Sequence, residues 1–362
     1  MRNKIVLVLL GALLVQCCCL SGMASDLEAL SGEIVQQLTI EPLASEMQPT
    51  LALATPASVE QPAPSEPPLN LSSDPVTGRT TYTVQQTLLL ANDGSGTADE
   101  IKLYMTLLRD WPSYQQVTLV QASPSDYAVV TDENKNEFAL FWFYDMQPGD
   151  SVPVTIEYEV TVNALDYNLS TCSGETLQSF TNAEQYLEVD NSEISTTADI
   201  LTRDAATDCA AVHNIYTYVI DSMEYAGYMP GDMGALSAHQ TGSGDCTEYA
   251  DLMIALTRAA GIPARFVEGV AYSWDGYYDE SQTKHDWLEV YLPGSGWVPM
   301  DPTWGENDAD TYFAGVSADH IIVTKGRNLS TLNGHHYWAF WWWGDDDVDV
   351  NAYDEAWKIW KK

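Results

Sequence analysis

Positive charge is scarce in this 362-residue chain: 15 Lys and Arg stand against 52 Asp and Glu, a formal net charge of −37. Such a surface repels phosphate backbones and anionic headgroups, which argues against nucleic acid and lipid surfaces as partners. The acidity is sufficiently explained by solubility, including in salty media where charges are screened. The acidic run Asp345, Asp346, Asp347, Asp349 lacks the ligand-and-glycine spacing of a calcium loop, and no metal site is expected. Long apolar runs are also missing. The one candidate, Ile5 to Val15, is too short to span a bilayer, so no transmembrane span is expected beyond a signal. Cysteine is sparse: of six, Cys17, Cys18 and Cys19 crowd together near the start. Hydrophobic residues nevertheless make up 45%, which excludes global disorder.

The first segment reads as an export signal over 1–24. Arg2 and Lys4 precede the apolar run, and Gly22-Met23-Ala24 ends in the small residues favoured at a cleavage site. Leu14-Val15-Gln16-Cys17 resembles a lipoprotein processing box, with Gln16 where a small residue is usual. Cleavage near Ala24 and lipid attachment are both open; either places the mature protein at the cell surface or outside it. In such an oxidising compartment, pairing Cys172 with Cys209 would leave Cys246 as a free thiol. The alternative is a merely buried Cys209, on the helical stripe Cys209, Val212, Tyr216, Val219, Met223.

Residues 25–74 are rich in Pro, Ala, Ser and Glu and read as a linker. Over 75–165 the apolar period is two, clearest in Val152, Val154, Ile156, Tyr158, Val160 and Val162. Turns such as Asn92-Asp93-Gly94 and Pro148-Gly149-Asp150 separate the runs. Short strands over this length suggest an immunoglobulin-like β-sandwich with no evident chemistry. Helices followed by strands occupy 166–332, and an aromatic, acidic extension closes the chain over 333–362. Its run Tyr337 to Trp343 reads as a final strand packed on the core. Three triplets, beginning at Asn70, Asn168 and Asn328, fit the glycan acceptor pattern, which is a weak signal.

Chemistry concentrates after Gly242. Gly242-Ser243-Gly244-Asp245 leads into a helix from Cys246 to Ala260, stopped by Gly261 and Pro263. A thiol at a helix N-terminus meets partial positive charge that favours thiolate, and nearby N–H groups can hold an oxyanion. Gln240 is a candidate side-chain oxyanion donor. His285 opens an alternating strand, Gly294-Ser295-Gly296 turns the chain, and Asp301 ends the return strand. His285 would take the thiol proton and Asp301 would orient the imidazole. For both to share a face, Tyr291 rather than Leu292 must pair with Trp297, which an odd-length loop or a bulge allows. Trp287 and Trp297 are candidates to line the site, or equally to pack in the core.

Three motifs in this order resemble the transglutaminase-like superfamily, whose fold is related to papain. They are Gly244-Asp245-Cys246 with its helix running on to Ile262-Pro263-Ala264-Arg265, His285-Asp286-Trp287-Leu288-Glu289-Val290, and Gly296-Trp297-Val298-Pro299-Met300-Asp301-Pro302-Thr303. The resemblance implies an α+β fold, with a transglutaminase-like catalytic domain preceded by the β-sandwich. It implies a nucleophile at Cys246, a base at His285 and an orienting acid at Asp301, with no cofactor. Asp286 departs from the small residue common after the histidine. The expected activity is that of an exported cysteine hydrolase or acyltransferase, cutting or exchanging peptide or isopeptide bonds through a thioester. Protein or peptide substrates are implied, cell-envelope polypeptides among them. The alternative is a catalytically silent cell-surface adhesion or scaffold protein that keeps the fold.

If the N-terminal cysteines carry lipid, replacing Cys17, Cys18 and Cys19 together will release the protein into the medium. Wild-type protein already fully in the medium would rule the anchor out.

Overall fold

The computed structural model describes residues 74–170, 172–272 and 284–362. The expected export signal with Cys17, Cys18 and Cys19, and the expected linker except Asp74, lie outside the described residues. Among the described residues no helix is long and apolar enough to cross a membrane.

Alternating sequence builds the first layer. β1 (Val76–Asn92), β2 (Ala98–Leu107), β3 (Gln115–Ser123), β4 (Ala128–Thr131), β5 (Glu137–Met146) and β6 (Ser151–Asp166) follow in order. On β6 the side chains of Val154, Ile156, Tyr158, Val160 and Val162 are buried and their neighbours are not, as a strand with one covered face requires. β6 pairs antiparallel with β1 and, along its other edge, with β3. β5 pairs with β2 and β4. Val84 and Leu90 of one sheet share a single core with Ile101, Leu103 and Phe141 of the other.

The helical part follows: α1 (Ser192–Thr202), α2 (Asp208–Ser222), the two-residue β7 (Glu224–Tyr225), α3 (Gly234–Thr241), the two-residue β8 (Ser243–Gly244) and α4 (Cys246–Ala259). Asn191 and Thr207 cap α1 and α2, each accepting a backbone N–H that the helix itself cannot satisfy. The α2 stripe Cys209, Val212, Tyr216, Val219, Met223 is buried. Cys209 is also disulfide-bonded to Cys172, so it is more than a buried residue of the stripe, and Cys246 is left free.

A third sheet comes from β9 (Ala264–Ala271), β10 (Lys284–Leu292) and β11 (Gly296–Met300). After α5 (Pro302–Gly305), α6 (Ala309–Tyr312) and the short β12 (Gly315–Val316), which pairs with β6, it is completed by β13 (His320–Lys325). Its order is β11-β10-β9-β13, antiparallel throughout. Phe266, Leu288, Val290 and Met300 share a core with Val212 of α2 and Leu252 and Leu256 of α4. Val270, Ile321 and Val323 belong instead to the core of the two-sheet layer. The third sheet therefore lies between the helices and that layer.

The aromatic tail returns to the start of the chain. β14 (Trp338–Gly344) pairs with β2 and β15 (Val350–Lys361) with β1. Trp357 and Ile359 enter the same core as Val84 and Leu90. The segment 333–362 thus supplies a strand to each sheet, covering edges that would otherwise expose unpaired backbone.

Gly269 faces His285 across the β9–β10 ladder. A Cβ there would lie 2.3 Å from the Trp287 indole and 2.4 Å from the Ile321 carbonyl oxygen. Gly269→Ala is expected to cost about 1–3 kcal/mol through overpacking. Urea unfolding reads this directly, and an unchanged midpoint would contradict it.

Candidate active site

Cys246 owes its place to a capping box. Asp245 Oδ1 accepts from Thr247 N at 2.9 Å, and Glu248 Oε2 accepts from Asp245 N at 3.1 Å. This starts α4 at Cys246. Gly244 is required beside it, since a Cβ would sit 2.4 Å from Glu248 Cβ.

His285 is placed by the β10–β11 hairpin. Tyr291 pairs with Trp297 and Leu292 with Gly296, leaving Pro293, Gly294 and Ser295 as the loop. Gly294 and Gly296 have φ of 83° and 77°, conformations that glycine adopts without a Cβ penalty. With Leu288 opposite Met300, the next position sets Asp301 beside Trp287, on the face that His285 occupies two residues away.

Asp301 is also the N-cap of α5. Its Oδ1 accepts from Thr303 N at 2.9 Å and Trp304 N at 3.1 Å. Its Oδ2 lies 2.8 Å from His285 Nε2 and 3.2 Å from His320 Nε2. Burial opposes a charge here, but His285 and His320 outweigh it and hold the carboxyl well below its ordinary value. The bond through Nε2 leaves Nδ1 as the ring nitrogen for a thiol. Among the described residues no hydrogen bond joins Cys246 Sγ to the ring.

The half-buried Cys246 thiol differs from the expectation. Burial pushes it well above the ordinary thiol value, and Asp286, Asp245 and Asp301 push the same way, against a downward pull from the Asp286 backbone amide. A helix terminus offers about half an elementary charge, which several nearby carboxylates overcome. Asp286 is buried, its Oδ2 accepts from Thr247 Oγ1 at 2.7 Å, and its Oδ1 has no protein partner. Burial raises the Asp286 carboxyl to about 6, against the pull of His336.

Gln240 is not brought to the thiol. It is exposed on α3, and its amide donates to the two Glu193 oxygens at 3.1 and 3.3 Å. Trp287 lies beside the imidazole, with ring centroids 5.9 Å apart. Trp297 packs in a separate cluster with Leu177 and Tyr291. Trp304, which sequence reasoning missed, stacks on the His285 ring at 5.0 Å and 22°. The ligand atoms of His285, Asp301 and His320 lie within 4.8 Å of one another. The two hydrogen bonds to Asp301 Oδ2 account for that closeness.

Residues 195–302 match the family model described as the transglutaminase-like superfamily. The chain carries a transglutaminase-like domain. Its sequence is 38% identical over 78 residues to the uncharacterized protein YebA of Bacillus subtilis, covering 18% of this chain and 10% of YebA. It is 41% identical over 69 residues to a protein-glutamine gamma-glutamyltransferase of Pseudomonas aeruginosa, again 18% of this chain and 10% of that protein. The matched stretch thus spans 10% of the length of each of these curated relatives. A crystal structure of a proposed cysteine protease from Cytophaga hutchinsonii superposes with a TM-score of 0.57 at 13% identity, over 79% of this chain and 91% of that one. The two chains share a fold.

Cys246, His285 and Asp301 all fall inside the matched part of the transglutaminase-like domain, whereas His320 lies beyond it. No motif marked His320; its one sequence signal is that Asp319-His320 opens an apolar strand. Asp286 was visible as a departure, but not as the neighbour that charges the thiol's surroundings.

Replacing Asp286 by Asn will lower the thiol pKa. Alkylation of Cys246 by iodoacetamide at pH 7 should quicken by about tenfold, the effect of a one-unit drop. An unchanged rate would show that the carboxylate does not govern the thiol.

Proposed function

We propose that this protein is an exported cysteine hydrolase or acyltransferase acting on peptide or isopeptide amides through a thioester. The observation that carries the reading is the 2.8 Å pairing of His285 Nε2 with Asp301. It fixes the tautomer and leaves Nδ1 to serve the thiol at the start of α4. His285 takes the proton of Cys246 as sulfur attacks the amide carbonyl, and Asp301 stabilises the resulting imidazolium. The tetrahedral oxyanion draws on the backbone N–H of Cys246, at a helix position with no intrahelical acceptor. Collapse breaks the C–N bond, and His285 returns the proton to the leaving amine. Water or a second amine then attacks the thioester, His285 accepts its proton, and the thiol leaves reprotonated. Water is the preferred acceptor in this reading. Substrates are proteins or peptides, cell-envelope polypeptides among them, met outside the cytoplasm.

The two-sheet layer is read as an immunoglobulin-like module. In this division the transglutaminase-like domain is inserted between its strands β6 and β14.

A second reading, a silent surface scaffold, draws support from the raised thiol. Mass spectrometry of envelope peptides incubated with the protein, with and without added amines, separates the two. Cys246→Ala should reduce turnover on the order of 10³-fold or more while leaving the fold intact. No product from wild type, together with Cys246 labelling no faster than a free cysteine, would establish the scaffold.

A further inference from the structure

His320 has no place in the reaction just described, yet its surroundings are built around it. Its Nδ1 lies 2.7 Å from Asp319 Oδ1 and its Nε2 lies 3.2 Å from Asp301 Oδ2. A neutral imidazole carries one N–H and would turn a lone pair toward one of these carboxylates; the imidazolium donates to both. The ring is boxed by Trp304 at 4.6 Å, Trp287 at 5.1 Å, His285 at 5.5 Å and Tyr312 at 5.7 Å between centroids. Asp319 is itself held, since Ser317 Oγ donates to it at 2.7 Å. Tyr82 of β1 ties the preceding residue by donating to Ala318 O at 2.8 Å.

We propose that His320 is a positioning residue: pinned between Asp319 and Asp301, it holds the Asp301 carboxylate in register with His285. The proposal rests on the thiol–imidazole reading above. His320 occupies a second site on the same oxygen that orients His285, so Oδ2 cannot swing away from β10 without breaking the contact to β13. The titratable groups facing the ring are Asp301 from the β11–α5 turn, Asp319 at the start of β13, His285 from β10 and Tyr312 from α6. Burial opposes the proton, but the hydrogen bonds to Asp301 and Asp319 outweigh it and raise the ring to about 9. The folded value exceeds the unfolded one, so the clamp is complete below about 6.5 and is lost as pH rises through about 9.

The test follows Cys246 alkylation by iodoacetamide from pH 5 to 10, taken as a ratio to the His285→Ala variant, which keeps the same buried carboxylates around the thiol, so that the thiol's own ionisation cancels. In wild type the ratio should fall as the pH passes about 9. Asp319→Asn keeps the ring and its volume but removes one carboxylate, so the fall should begin at lower pH. His320→Phe should lower the ratio at pH 7 by about tenfold, and His320→Gln, which can still offer one N–H to Asp301, should recover part of it. Unfolding midpoints measured alongside identify a variant that fails to fold, in which case Asp319→Asn carries the test. If the wild-type ratio is one at every pH, no thiol–imidazole pair exists and both readings fall. If the wild-type ratio exceeds one while His320→Phe and Asp319→Asn follow wild type, or label faster, the clamp alone is overturned.

Discussion

A single buried carboxylate, Asp301, ties together segments that the chain delivers separately. An ionised carboxylate away from water is tolerated only when its oxygens are fully paired. Asp301 meets that demand with two N–H groups from the first turn of α5 and two imidazoles, from β10 and β13. Each of these bonds is also a positional constraint. The turn after β11, the start of β10 and the start of β13 cannot drift apart without leaving charge unpaired. The position of the His285 ring is thus a consequence of where Asp301 must be satisfied, with stacking on Trp304 supporting it.

The thiol side of the site obeys the opposite electrostatics. Asp301 is held charged by its hydrogen bonds to His285 and His320, whereas Cys246 is buried among carboxylates that oppose charge on sulfur. Because a resting thiolate is disfavoured there, the proposed mechanism moves the proton to His285 only as the attack occurs. Burial makes most of this environment, and Asp286 leads the carboxylates that add to it. Its charge is itself marginal, because burial raises it to about 6. The surplus of acidic residues is therefore more than a matter of solubility: at this point it opposes charge on the Cys246 sulfur.

Much of the site was legible because local rules place it. The helix start at Cys246 follows from Asp245 and Glu248, and the register of β10 on β11 from a glycine-bearing loop. These signals lie within a few residues of the groups they position. His320 escaped for the converse reason. Nothing in Asp319-His320-Ile321-Ile322-Val323 distinguishes a clamp from an ordinary buried strand, and its partner Asp301 is met only after α5, α6 and β12 have been folded between them. Gln240 was near in sequence to Cys246, but α3 turns its amide toward Glu193 on α1. The tail looked like an extension because its pairing partners, β1 and β2, lie at the far end of the described chain.

The two-sheet layer supplies none of Cys246, His285 and Asp301, yet it bears on the site through β13. Side chains alternate along a strand, so a residue committed to one face commits its neighbour to the other. Ile321 and Val323 are buried in the core of the two-sheet layer. His320, immediately before Ile321, is thereby turned toward Asp301. The same Ile321 contributes the carbonyl oxygen that, with the Trp287 indole, leaves no room for a side chain at position 269. A strand anchored by its apolar residues in one layer thus presents its polar first residue to the other. Because β14 and β15 are needed to cover β2 and β1, that anchoring depends on residues after the transglutaminase-like domain as well as before it. The geometry at Asp301 is consequently a property of the two layers together.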